Sequence, residues 1–126
     1  MTPAIIPLLV CAAGGIGAAA RLVLDGLIRS RIRSSYPVAT TTINVTGSLL
    51  LGLLSGLAAA RLLPEPWLII VGTGLLGGYT TFSTASFETV SLLEDRRYLA
   101  AALNGVGTLI ICTAAAAAGL MIGFIA

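Results

Sequence analysis

The chain places hydrogen-bonding side chains where an apolar sequence has least need of them. In "GGYTTFSTASFETV", Gly77 to Val90, two adjacent glycines precede Thr80, Thr81, Ser83, Thr84 and Ser86, with Phe82, Phe87 and Glu88 among them. Elsewhere Thr40, Asn44 and Ser48 recur every fourth residue, which stacks them on one helical face. Asn104, Thr108 and Cys112 repeat that spacing. Inside a membrane, neutral hydroxyls and amides either glue helices together or line a wet path for an ion, and the spacing alone leaves both open. The glycine pair adds cation chemistry. Glycine and hydroxyl residues have weak helix propensity, so the segment is expected to unwind near Gly77–Thr80 and free backbone carbonyls, as at the broken helices of transporters.

Other chemistries lack their residues. The chain has no His, no phosphate loop followed by Lys and no nucleophile–base pair, so neither an enzyme nor a nucleic-acid partner is expected. Cys11 and Cys112 both fall in apolar stretches, where a thiol packs as a small apolar group.

The elements that must position these groups are membrane helices. Of 126 residues, 57% are hydrophobic and 10% charged, against a globular charged fraction of about 25%; mean hydropathy is +1.04. Charges divide the chain into four uncharged windows, each long enough to supply the roughly 20 apolar residues that cross a bilayer. The reading is one transmembrane domain over 1–126, all-α, with helices about 4–28, 38–60, 67–92 and 98–125. The start "MTPAIIPLLV" has no basic n-region, so the first window is expected to stay as a helix and not to be a cleaved signal.

The connections are short: "RSRIRSSYP", "RLLPEP" and "EDRR". Arg29, Arg31, Arg33, Arg96 and Arg97 fall on the side of the first and third loops, and Arg61 falls on the other. Basic loops stay cytoplasmic, so both termini are expected outside the cell (inner or plasma) membrane.

"GGIGAAAR" (Gly14 to Arg21), "TTTINVTGSLLLG" (Thr40 to Gly52) and "GLLGGYTTFST" (Gly74 to Thr84) resemble, in order and spacing, the three signature segments of the Fluc, or CrcB, fluoride channels. The resemblance covers nearly the whole chain. It implies an antiparallel, inverted-topology dimer with two fluoride pores and a structural Na+ at the interface. The main-chain carbonyls of Gly77 and Thr80 would hold the sodium. Asn44 would give an amide N–H to fluoride, and Phe82 the positive edge of its ring. The resemblance adds Ser83, Thr84, Thr108 and Cys112 to the pore and sets Arg21 at an aqueous vestibule; Thr40 is expected in the pore from the stripe it shares with Asn44. The alternative for Arg21 is an interfacial arginine paired with Asp25, four residues on. The implied task is passive export of cytoplasmic fluoride.

Two positions depart from the family pattern. Ala85 stands where the usual TTFSTF has its second phenylalanine, and Phe87 lies about 200° around a helix from it. Asn104 stands where many relatives have tyrosine. Together with five arginines against one, which a subunit of dual orientation would balance, these departures point to pairing with a related, oppositely oriented subunit; pairing with itself is the alternative. Glu88 supports a second functional reading, a small four-helix proton-coupled multidrug or cation exporter, although a carboxylate pairing with an arginine also accounts for it.

Overall fold

The structure, a computed structural model, describes residues 5–126; the expected helix start at residue 4 lies outside them. Four helices are long and apolar enough to cross a bilayer: Ile5–Arg31, Val38–Ala59, Glu65–Glu94 and Tyr98–Ile125. At a rise of 1.5 Å per residue even the shortest, 22 residues long, exceeds a hydrocarbon core about 30 Å thick. This is a multi-pass membrane protein.

Local sequence sets the ends of these helices. Pro37 precedes the second helix, and Pro64 and Pro66 flank the start of the third, where a missing N–H costs no intrahelical bond. The second and third helices close with the same motif. Arg61 and Arg96 adopt left-handed backbone, φ 61° and 59°. The amide after each reaches back five residues, Leu62 to the Leu57 carbonyl at 2.9 Å and Arg97 to the Leu92 carbonyl at 2.8 Å. This is the Schellman closure, with arginine at the site glycine usually holds.

Lipid is as apolar as leucine, so the helices associate by close backbone approach. The second and fourth helices cross at Gly52 and Gly56 against Gly119 and Gly123. A methyl at Gly52 would overlap the Ala116 carbonyl, and one at Gly119 the Leu49 carbonyl. The first helix packs in the same way on the leading part of the third span, where Gly17 meets the Leu75 carbonyl and Gly78 meets that of Gly14. Buried side chains are few; Thr40, Ile43 and Asn104 are each 1% exposed. Large apolar residues such as Leu8, Leu22, Leu109 and Met121 face outward.

The third span is interrupted. It winds as a π-helix over Leu68–Leu76, completes a turn at Gly77–Tyr79, and becomes extended at Thr80 (φ −78°, ψ 160°) and Thr81 (φ −147°, ψ 116°). It restarts as the helix Phe82–Glu94. The interruption therefore lies just beyond the diglycine. Gly77 is itself helical (φ −62°, ψ −39°), and Gly78 serves close packing against the first helix. The fourth helix has a π-helical stretch too, Leu103–Gly107, which carries Asn104.

Candidate functional site

Asn44 on the second helix holds the interruption open. Its Nδ2 donates to the Thr81 carbonyl at 2.9 Å, and its Oδ1 accepts the Thr81 amide at 2.8 Å. Thr81 in turn caps the trailing helix, its hydroxyl oxygen accepting the Thr84 amide at 3.2 Å. The Thr80 amide goes to the Leu76 carbonyl at 2.9 Å.

This bonding leaves particular carbonyls without their usual donors. In a continuous helix Gly77 C=O would receive the amide of Thr81, which Asn44 takes; the amide of Thr80 goes to Leu76. Thr80 C=O would receive the amide of Thr84, which the Thr81 side chain takes. The carbonyls of Gly77 and Thr80, with that of Tyr79 between them, thus resemble those of a helix terminus, which need an outside partner, while Gly78 C=O has Arg21. Neutral oxygens of this kind suit a hard cation of low charge. Among the described residues no three His, Cys, Asp or Glu side chains cluster as metal ligands.

A groove of about 770 Å³ runs beside the break. It brings together six of the ten residues that the resemblance and the stripes assign to the pore, vestibule or sodium site, Asn44, Gly77, Thr80, Phe82, Thr108 and Cys112, and also Ser48, Ala85 and Asn104. Phe82 is 87% exposed there. The other four lie off the groove. Ser83 is exposed, Thr84 is bonded to Thr81 at 2.9 Å, and Thr40 is buried and donates to Glu88 Oε1 at 2.9 Å. Arg21 directs Nε at the Gly78 carbonyl, 3.4 Å away. Asp25 is bound instead by Arg29, so the Arg21–Asp25 pair considered from the sequence does not form.

The second stripe divides by depth. Asn104 Nδ2 donates to the Ala85 carbonyl at 3.1 Å and to Thr89 Oγ1 at 2.9 Å, joining the fourth helix to the trailing half of the third. The two positions that depart from the family pattern, Ala85 and Asn104, are therefore bonded to each other. Thr108 lines the groove with its body, while its hydroxyl oxygen is enclosed by protein.

Glu88 is the centre of a separate polar node. Its Oε1 accepts from Arg29 Nη2 at 2.9 Å as well as from Thr40, and Arg29 Nε binds Asp25 at 2.8 Å. The node opens on a smaller pocket of about 210 Å³ between the first and third loops. There Arg97 Nη2 donates to Ser35 Oγ at 3.1 Å, tying those loops together.

Sequence reasoning named Thr81 only among the run of hydroxyls and gave no role to it, Tyr79 or Thr46. The Tyr79 and Thr46 hydroxyls lie 3.0 Å apart beside the break. The available signal was Thr46 standing two residues after an intramembrane Asn44, on the same helix.

The family profile described as CrcB-like protein, Camphor Resistance (CrcB), matches residues 8–120. Several curated proteins are similar to the chain over most of its length. The protein named fluoride-specific ion channel FluC 1 of Leifsonia xyli subsp. xyli is 55% identical over 126 residues, 100% of this chain and 91% of its own. FluC 2 of Cutibacterium acnes is 46% identical, covering 90% of this chain and 94% of its own, and FluC 3 of Bifidobacterium longum is 42% identical, covering 93% and 97%. Four spanning helices, an Asn44-held interruption in the third and these matches lead to one assignment: the chain belongs to the CrcB-like family.

Proposed function

We propose that the protein is a fluoride-selective channel for passive export of cytoplasmic fluoride, and not an enzyme. The observation that carries this reading is the interruption held by Asn44, which sets freed carbonyls and neutral donors side by side at membrane depth. The names borne by its relatives supply the ion.

Fluoride is small, strongly hydrated and a strong hydrogen-bond acceptor, so a low-dielectric passage must replace water's donors at each step without holding the ion too tightly. Asn44 spends one amide hydrogen on Thr81 and retains a second for the ion. Phe82 offers a ring edge, the positive part of its quadrupole. Thr108 and Cys112 continue the polar track along the groove in this reading; Ser83 and Thr84 extend it beyond the groove, Thr40 stands behind it with its proton on Glu88, and Arg21 draws anions to the mouth. Structural Na+ fits the carbonyls of Gly77 and Thr80; when bound it supplies a fixed positive charge at the break.

The groove is open along one flank, which suits completion by a second, antiparallel subunit. The arginine distribution, with both termini outside the cell membrane, favours an opposite-topology partner chain over self-pairing. Both contacts of Glu88 fall on Oε1 and leave Oε2 buried without a partner among the described residues; it is the ion pair with Arg29 that weighs against the proton-coupled exporter, which needs a carboxylate free to exchange protons.

Fluoride efflux from liposomes tests the proposal. Purified chain, alone and mixed with a related chain whose arginines favour the opposite orientation, is expected to release fluoride in response to a membrane potential with no requirement for a proton gradient. Absence of flux in both preparations rejects the channel; full flux from the chain alone rejects the two-chain pairing.

A further inference from the structure

The hydroxyl pair beside the break has a defined direction. Thr46 has one hydroxyl proton, and its oxygen lies 2.8 Å from the Thr42 carbonyl and 3.1 Å from that of Ile43, groups that only accept. With that proton committed to its own helix, the 3.0 Å contact is Tyr79 O–H donating to Thr46 Oγ1. Tyr79 is the last helical residue before the interruption, so the bond anchors the end of the leading half to the second helix.

The anchoring continues residue by residue. Asn44 grips Thr81 on the far side of the break. Between the two anchors the Thr80 methyl and the Tyr79 ring lie against Gly47, where an added methyl would collide with the first and crowd the second. The segment Asn44 to Gly47 therefore touches each of residues 79, 80 and 81, entirely within one chain.

We infer that Tyr79 is a positioning residue: its bond to Thr46, acting with the Asn44 clamp, sets the course of the broken span before sodium or a second subunit arrives. Its functional weight rests on the channel reading; the latch itself is a property of the single chain. Tyr79→Phe removes the donor alone and leaves Thr46 bonded to Thr42, so no buried polar group is orphaned and the fold is retained. What changes is the freedom of Thr80 and Thr81, and with it the register of the freed carbonyls.

The test begins with amide hydrogen exchange on the full chain in sodium-free detergent. Loss of one hydrogen bond is expected to speed exchange at Thr80 and Thr81 about fivefold in Tyr79→Phe. Amides at the Gly52–Gly56 crossing should be unaffected. Tyr79→Phe/Thr46→Val should exchange no faster than the single variant, because both changes remove the same bond. Fluoride efflux titrated with sodium should then show a raised half-saturating concentration with the maximal rate preserved. Unchanged exchange at Thr80 and Thr81 overturns the latch, as does wild-type exchange that stays fast until sodium is added; an unchanged sodium requirement overturns the positioning role. Slow exchange with no fluoride flux in any preparation leaves the latch standing and rejects the channel reading instead.

Discussion

Asn44 and Thr81, thirty-seven residues apart, exchange two hydrogen bonds of 2.9 and 2.8 Å through a side-chain amide and a backbone peptide unit. One carboxamide therefore satisfies an N–H that a break would strand in hydrocarbon, and adds a second donor to the Thr81 carbonyl, which as N-cap already accepts the first bond of the trailing helix. Asn44→Ala should leave the Thr81 N–H unpartnered. At about 1–3 kcal/mol for that group, it should lower thermal stability in detergent and reduce fluoride efflux at least tenfold. Normal stability together with normal flux would count against the clamp.

The two glycines of the diglycine should differ in their tolerance of a methyl group. A Cβ at Gly77 meets nothing within 4 Å in the chain, whereas one at Gly78 runs into the Gly14 backbone. Gly77→Ala should therefore leave thermal stability of the isolated chain close to wild type, while Gly78→Ala should cost about 1–3 kcal/mol as overpacking. If Gly77→Ala folds normally yet loses flux, the loss locates a need for open space beside that carbonyl in the assembled channel.

Arg61 and Arg96 hold left-handed backbone that glycine adopts without strain. Arg61→Gly should raise stability by about 1 kcal/mol, measured as a higher melting temperature in detergent. The same substitution empties the second loop of arginine and should strengthen the orientation bias, read out by cysteine accessibility in intact cells.

Glu88 separates channel from exporter. Glu88→Gln keeps an acceptor for Thr40 and loses the ion pair with Arg29. For a channel, efflux should fall by no more than a few fold and should not depend on a proton gradient. Abolished, gradient-dependent transport would revive the exporter.

The four spans and the interruption of the third were legible in the sequence because they follow from composition and local propensity: long uncharged windows, and a glycine pair followed by hydroxyls. The position of the break was legible only in part, since of the expected stretch Gly77–Thr80 only Thr80 is extended. Gly77 and Gly78 suggested unwinding by their flexibility, but the extended residues are Thr80 and Thr81, since backbone leaves a helix in a membrane only where partners await it, and Asn44 supplies them to Thr81. The two asparagines illustrate the same limit. Spacing of four placed each on a polar stripe, yet Asn44 binds backbone at the break while Asn104 is buried between the third and fourth spans. Arg21 was read either at an aqueous vestibule or paired with Asp25; tertiary packing instead directs it at the Gly78 carbonyl and gives Asp25 to Arg29.

The glycine crossings join the first helix to the third and the second to the fourth, so helices adjacent in the chain are not the most intimate neighbours. A growing chain that has inserted three helices already has the first pair, but the Gly52 and Gly56 face of the second still lies against lipid and waits for residues beyond 115. Biogenesis should thus pass through a three-helix stage whose backbone-exposing seam is open to any chaperone or protease that surveys unfinished membrane proteins, until the last helix arrives to cover it.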